Sequence, residues 1–390
     1  MDDLGNRRLI YILNHYSKNS VQHFFHVVNL LYEIADHGVE IALVIEKCDG
    51  QPDINHPNVL VIPQQAKGAL KRRTELYSIL TKLCKQGYHK CFIRISTTAA
   101  LTAIAVSLKQ RLEVYYWHSG TVKEFNDEQP FGLKKIKNYF KSTLPFSMVK
   151  KYTTWFVTGP ESMKAYYEKV HHIDGNKIKV LYNDIDINRF NTATDEEKIN
   201  LKKELDIPLD RKIILFVHRL SPVRKSLFYM PYVLEKFYEQ QENHVYQSIL
   251  IGEGNEKPEL ERMVVKAGLQ DKVFILGGKP NNIIQKYYQV ADIFINPTYA
   301  EGFPRVLIEA MATGLPVVTT DAGGIADILG QQQQAFMVNK DNRDDFAIKL
   351  SSLAADEEMR LRLKNENLET VKRFSTPVVA QMYIDVIFNK

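Results

Sequence analysis

Along the chain, short runs of β-branched and other apolar residues alternate with longer stretches whose apolar positions recur at helical spacing. The runs fall at Leu9–Leu13, Ile41–Ile45, Val59–Ile62, Cys91–Ile95, Val114–Trp117, Thr154–Val157 and Lys179–Leu181. Apolar runs joined by helix-length connections predict a parallel sheet covered by helices. The pattern breaks over Asn183–Lys198, NDIDINRFNTATDEEK, where polar and acidic residues replace the apolar period, and an interdomain link is predicted there. It restarts at Lys212–Val217, Gln247–Gly252, Val273–Leu276, Ile293–Asn296 and Val317–Thr320, so a second α/β domain follows. The expected division is 1–190 and 191–374, with the apolar closing helix, 375–390, crossing back to the first domain. Ligands of open α/β sheets bind outside the carboxyl ends of the strands. Two such domains facing each other create a cleft, and chemistry is sought there.

Length agrees with this division, because 390 residues exceed the ~250–300 at which one core stops growing. With 45% hydrophobic and 25% charged residues the chain has a globular composition, which excludes collagen-like and low-complexity classes. No repeat of 20 to 50 residues is visible, so solenoids and propellers are excluded. No apolar run approaches the ~18–20 residues that span a bilayer, and Met1–Arg8 is polar rather than signal-like. A cytoplasmic protein is expected. The cysteines Cys48, Cys84 and Cys91 are odd in number and lack CxxC spacing, which predicts three buried thiols rather than a disulfide framework or zinc cluster. The net charge of +5 is uneven, +8 over residues 1–190 and −3 over 191–390, so the first half is expected to face an anionic partner.

The strongest chemical signal is Ala291–Gly314, ADIFINPTYAEGFPRVLIEAMATG. A strand, Ile293–Asn296, turns into a helix predicted to begin within Pro304–Val306, with Pro304 suited to the first turn. Free backbone N–H groups at such a start hold an anion, and Gly302 permits close approach of a ligand. Glu301 precedes the helix and Glu309 lies about five residues inside it, roughly 7–8 Å along the axis. Two carboxylates bracketing a phosphate site suit a ligand with a central diphosphate and hydroxyls at both ends, the layout of a nucleotide sugar. Read alone, Glu301 is a loop charge and Glu309 a solvated helix residue. The neighbouring segment His218–Ser226, HRLSPVRKS, tips the balance, since it brings Arg219, Arg224 and Lys225 off the strand Lys212–Val217 toward the same sheet edge. Arginine binds phosphate bidentately and lysine adds a point charge.

With these residues in place the sequence resembles glycosyltransferase family 4, the retaining glycosyltransferases of GT-B fold, in which two Rossmann-like domains face a cleft. Glu301 and Glu309 reproduce the family's E-x7-E signature as EGFPRVLIE, and Arg219 in HRLSP falls at its phosphate-binding arginine. IGEG, Ile251–Gly254, is similar to its Gly-x-Gly turn, VLYNDIDINRF to its interdomain segment and DAGGIADIL to its Gly-Gly segment. The resemblance implies transfer of a hexose or N-acetylhexosamine from a nucleotide sugar, UDP-sugar favoured, to an acceptor hydroxyl, with retention and without a metal or other cofactor. The acceptor implied is a glycan or lipid-linked glycan in cell-surface polysaccharide synthesis. By position, Glu301 would contact the donor sugar and Glu309 the ribose. The backbone of Gly302, Phe303, Pro304, Arg305 and Val306, and the turn at Gly252 and Glu253, would lie along the donor. Arg219 with Arg224 or Lys225 would neutralise the departing diphosphate. His118 in YYWHSG, after the strand Val114–Trp117, resembles the family's active-site histidine in the first domain. Three positions depart from the family: Lys18–Leu31 has no glycine pair, Arg224 stands where the lysine usually does, and Asp184 replaces a glycine. A sugar-nucleotide epimerase and a noncatalytic nucleotide-sugar-binding protein remain as alternatives.

Other signals carry less. Asp184 and Asp186 have the spacing of a metal-binding pair, but their place in the link favours a hinge. His171 and His172 are adjacent, point to different faces and are expected at the surface. Leu133–Leu144, LKKIKNYFKSTL, sorts into an apolar arc (Leu133, Ile136, Tyr139, Phe140, Leu144) and a lysine arc, with Lys150 and Lys151 following. Such a helix either packs on the core with solvated lysines or lies on an anionic membrane through 133–151, at the inner face of the cell membrane. Nucleic-acid binding is not expected, because no RNP pattern or helix-turn-helix accompanies the charge.

Overall fold

The computed structural model describes residues 7–17, 24–120, 139–220, 230–240 and 245–389. The chain divides into two compact units, 1–182 with 376–390, and 183–375. The residues read as an interdomain link, Asn183 onward, thus pack within the second unit, where Asn183 and Asp184 are buried. Arg224 and Lys225, residues 133–138 of the basic amphipathic segment, and 18–23 of the glycine-free segment lie outside the described residues.

The first unit contains strands β1 (Arg8–Leu13), β2 (Tyr16–Ser17), β3 (Glu40–Ile45), β4 (Cys48–Asp49), β5 (Val59–Pro63), β6 (Lys90–Arg94), β7 (Glu113–Trp117), β8 (Trp155–Thr158) and β9 (Ile178–Val180). Seven of them form a parallel sheet in the order β5-β3-β1-β6-β7-β8-β9, while β2 and β4 pair separately. The apolar runs have no polar face because both faces are covered. In β1, Ile10 and Ile12 pack with Leu76, Leu80 and Ala103 on one side. Leu9, Tyr11 and Leu13 pack on the other side with Leu30, Leu31 and, from the end of the chain, Tyr383 and Ile387. The helix Thr376–Phe388 thus completes this unit, its Tyr383 ring 5.2 Å from Phe92. Cys84 and Cys91 are buried thiols, but Cys48 is only partly covered, because it lies in the short β4 and reaches Gly50 O at 3.0 Å.

The second unit carries β10 (Lys212–Val217), β11 (Tyr246–Ile251), β12 (Val273–Gly277), β13 (Ile293–Asn296), β14 (Val317–Asp321) and β15 (Met337–Asn339) in a parallel sheet ordered β12-β11-β10-β13-β14-β15. The strand β15 has no counterpart in the apolar pattern because it is three residues long and ends on Asn339. The strand order reverses between β10 and β13, whose loops therefore diverge to leave a crevice at their carboxyl ends. The loop after β10 begins at His218 and the loop after β13 carries Glu301, so topology brings these two segments together.

Candidate active site

The helix bracketed by the two glutamates spans Arg305–Ala312, beginning within the expected Pro304–Val306. Pro304 stands at the cap position with φ −71° and ψ 112°, and no side chain caps this helix end. Pro304 supplies no N–H, so the turn hands its first amide donors to Arg305 and Val306. The opposite face of the helix, Leu307, Ile308, Ala310 and Met311, is buried and fixes its direction. Gly302, Phe303 and Pro304 are also buried, with the Phe303 ring 5.3 Å from Phe374 and its carbonyl accepting from Asn183 Nδ2 at 3.0 Å.

Each carboxylate is held by a partner distant in sequence. His218 Nε2 donates to Glu301 Oε1 at 2.9 Å, with both side chains about nine-tenths buried. Tyr288 Oη donates to Glu309 Oε2 at 2.9 Å, and Arg305 Nε stands 3.9 Å from the other carboxylate oxygen. Burial, and then the Glu309 charge, push the Tyr288 hydroxyl well above its ordinary titration range, so it remains a donor. Arg305 is itself anchored by Asp184, donating to its carbonyl at 2.5 Å and facing its carboxylate at 3.5 Å. Asp186 Oδ1 accepts the amides of Asn188 and Arg189 at 3.1 and 3.2 Å. Asp184 therefore braces the helix start through Arg305, while Asp186 closes a turn of its own segment.

Close backbone approaches set the loops. A Cβ on Gly252 would stand 1.8 Å from His218 O, so the IGEG turn lets the segment bearing His218 and Arg219 lie directly upon it. His218 N and Leu220 N complete this contact through Ile251 O and Glu253 O at 2.9 and 3.0 Å. The Glu253 carboxylate accepts the Gly278 amide at 2.9 Å, which ties the turn to the end of β12. Gly323 has φ +58°, and a Cβ there would lie 1.7 Å from Glu301 O. The Gly-Gly segment after β14 thereby seats the Glu301 loop, which is also pinned by Thr320 Oγ1 on the amide of Thr298 at 2.8 Å. Arg219 is exposed beside this arrangement.

His118 follows β7 in the first unit and is partly buried, its amide bonded to Val157 O at 2.9 Å. Its Nδ1 lies 2.6 Å from Tyr167 Oη, and its ring is tilted by 44° against Phe146, 4.9 Å between centroids. Burial, with a smaller contribution from His171, lowers its pKa to about 4.

Sequence spacing singles out Glu301 and Glu309 but not the groups that hold them. His218 was visible only as the residue before Arg219, while Tyr288 and Asp184 carry no signal, since nothing in the chain announces contacts across 21 and 121 positions. Tyr288→Phe is expected to keep the fold and weaken whatever Glu309 binds by roughly tenfold, as a hydrogen bond to a charged group contributes about 1.5 kcal/mol. Calorimetric titration with nucleoside diphosphates checks this, and unchanged affinity would remove Glu309 from the binding face.

Glycosyl transferases group 1 is the family whose model matches, over residues 197–370. An uncharacterized glycosyltransferase of Methanocaldococcus jannaschii is 29% identical over 232 residues, covering 59% of this chain and 58% of that protein. This chain thus spans little more than half the length of that relative. The UDP-Gal:alpha-D-GlcNAc-diphosphoundecaprenol alpha-1,3-galactosyltransferase of Escherichia coli is 24% identical over 331 residues, 82% of this chain and 81% of that one. Among solved structures, HepE of Anabaena in complex with UDP-glucose superposes with a TM-score of 0.74 at 16% identity, covering 97% and 98% of the two chains. That likeness shows the fold, which is GT-B, with two parallel-sheet α/β domains. Residues 197–370 of this GT-B chain are thus similar to the glycosyl transferases group 1.

Proposed function

We propose that the protein is a retaining glycosyltransferase that moves a hexose or N-acetylhexosamine from a UDP-sugar to a hydroxyl of a glycan or lipid-linked glycan. The observation that carries this reading is the pair of carboxylates, Glu301 and Glu309, clamped by His218 and by Tyr288 on either side of an uncapped helix start. Glu301 accepts hydroxyls of the donor sugar, Glu309 accepts those of the ribose, and the amides of Arg305 and Val306 face the diphosphate. When the bond between the sugar and the diphosphate breaks, negative charge grows on the leaving group. Donors already in place at the helix start and on Arg219 stabilise that charge without reorganising, so they act on the transition state more than on the bound substrate. This charge compensation is the protein's own, and the reaction is expected to run unchanged in EDTA. The activity of the Escherichia coli relative and the ligand of the Anabaena structure favour a uridine diphosphate donor.

A lipid-linked acceptor would bring the enzyme to a membrane. Tyr139, Phe140, Leu144, Met148 and Tyr152 are 37–64% exposed beside Lys150 and Lys151, which supports contact of 133–151 with an anionic surface. Among the described residues no helix is long and apolar enough to cross a membrane, so this contact would be peripheral. Co-flotation with vesicles containing anionic lipid, reduced by Phe140→Ser, is the expected result, and equal flotation with neutral vesicles would refute it.

Incubation with UDP- and GDP-sugars and a panel of glycan and polyprenyl-diphosphate-linked acceptors tests the main reading. Acceptor-dependent release of UDP, with the donor's anomeric configuration kept in the product, is expected. A second sugar nucleotide formed from donor alone would make the protein an epimerase, and binding of UDP with no release would make it noncatalytic. Either result overturns the proposal.

A further inference from the structure

His118 offers two ring nitrogens to any ligand, and its surroundings decide which carries the proton. The Tyr167 hydroxyl, on the helix Glu161–His171, lies 2.6 Å from His118 Nδ1 and 3.1 Å from Gly120 O. A hydroxyl has one hydrogen, and a backbone carbonyl can only accept. Donation from Tyr167 to Gly120 O therefore leaves its oxygen as acceptor toward His118, and Nδ1 must bear the hydrogen. Tyr167 itself is fully buried, and burial raises its hydroxyl well above its ordinary titration range, so it keeps its proton.

We propose that Tyr167 is a positioning residue that fixes His118 as the Nδ1–H tautomer, so that Nε2 is available to a ligand solely as a hydrogen-bond acceptor. The groups packed around His118 preserve this state. Tyr116 from its own strand, Phe146 from the helix Leu144–Tyr152 and Tyr167 from the next helix enclose the ring. His171, expected at the surface, instead stacks on Tyr167 at 5.2 Å and lies 5.5 Å from Phe146. Its position is inside this cluster because it ends the helix that carries Tyr167 one turn earlier. With its pKa lowered to about 4, His118 is neutral at physiological pH.

The consequence for specificity rests on the glycosyltransferase reading above. A neutral acceptor nitrogen recognises a sugar hydroxyl, which donates, and repels a phosphate oxygen, which has no hydrogen to give. His118 therefore selects for a hydroxyl-bearing ligand on the first unit.

Imidazole nitrogen NMR on the full chain with labelled histidine, His118 being assigned by its loss in His118→Asn, reads the tautomer directly. The expected spectrum between pH 6 and 8 has a protonated Nδ1 and a bare Nε2. Tyr167→Phe is expected to mix the tautomers and to lower kcat/KM by roughly tenfold to a hundredfold, by analogy with loss of the outer partner that orients a metal-bound histidine. A wild-type spectrum with the proton on Nε2 overturns the proposal, and so does a folded Tyr167→Phe with an unchanged tautomer. Should the variant not fold, the wild-type spectrum alone decides. The measurement needs no donor, so a protein that transfers no sugar would refute the functional reading while leaving the tautomer assignment intact.

Discussion

Glu301→Gln is expected to lower acceptor-dependent UDP release by roughly a hundredfold to a thousandfold while leaving the melting temperature nearly unchanged. The two outcomes separate because the amide keeps one oxygen. His218 Nε2 now donates to Glu301 Oε1 at 2.9 Å, and a glutamine oxygen can accept the same bond. The second oxygen, however, becomes an NH2 group, and a site built to accept a sugar hydroxyl then presents a donor to a donor. The loss reaches beyond one missing contact, since the carboxylate's charge is also removed from a largely buried position that the proposed function sets beside the donor sugar. Comparison of kcat with KM sharpens the reading. A loss confined to KM would place Glu301 in uniform binding, and a fall in kcat would place its interaction in the transition state. Normal turnover by this variant would contradict the site assignment.

Gly323→Ala carries the second large effect, and it acts on stability and activity together. The native φ of +58° is left-handed, which costs an alanine about 1 kcal/mol. The larger difficulty is the added Cβ, 1.7 Å from the Glu301 carbonyl oxygen and 2.7 Å from its carbon. Both are backbone atoms, so no side chain can swing away, and the loop that carries Glu301 must move. A total destabilisation of about 2–4 kcal/mol is expected, combining strain and overpacking. Gly268→Ala is the control. Gly268 has a similar φ of +68° in the same unit but nothing within 4 Å of an added Cβ, so only the conformational part of about 1 kcal/mol should remain. Calorimetric melting of both variants, together with UDP release, checks the comparison. Equal melting temperatures for the two would mean that Gly323 does not seat the Glu301 loop.

The chain itself determined the alternation of apolar strands and helices, the presence of two α/β domains, and the pairing of Glu301 with Glu309 around a helix start. These were legible because they are periodic or local: a fully covered strand reads as an apolar run, and two residues eight positions apart on one strand–turn–helix unit keep a fixed relation whatever surrounds them. The start of that helix at Arg305 falls within the predicted Pro304–Val306 for the same reason. Burial of a polar residue is not local and leaves no such mark. The polar segment after Tyr182 was read as a link because it lacks an apolar period, yet Asp184 is buried there to satisfy Arg305.

Only the tertiary structure decided which groups fix each functional side chain. His218 reaches Glu301 because strand order reverses between β10 and β13, and Tyr288 reaches Glu309 because its helix packs beside the one that bears the carboxylate. Tyr167 reaches His118 across 49 positions, and with it comes the tautomer of the ring. Charge, size and spacing are written along the chain. The direction in which a proton or a carboxylate is held depends on a partner brought near by packing, and that partner has no fixed distance in sequence.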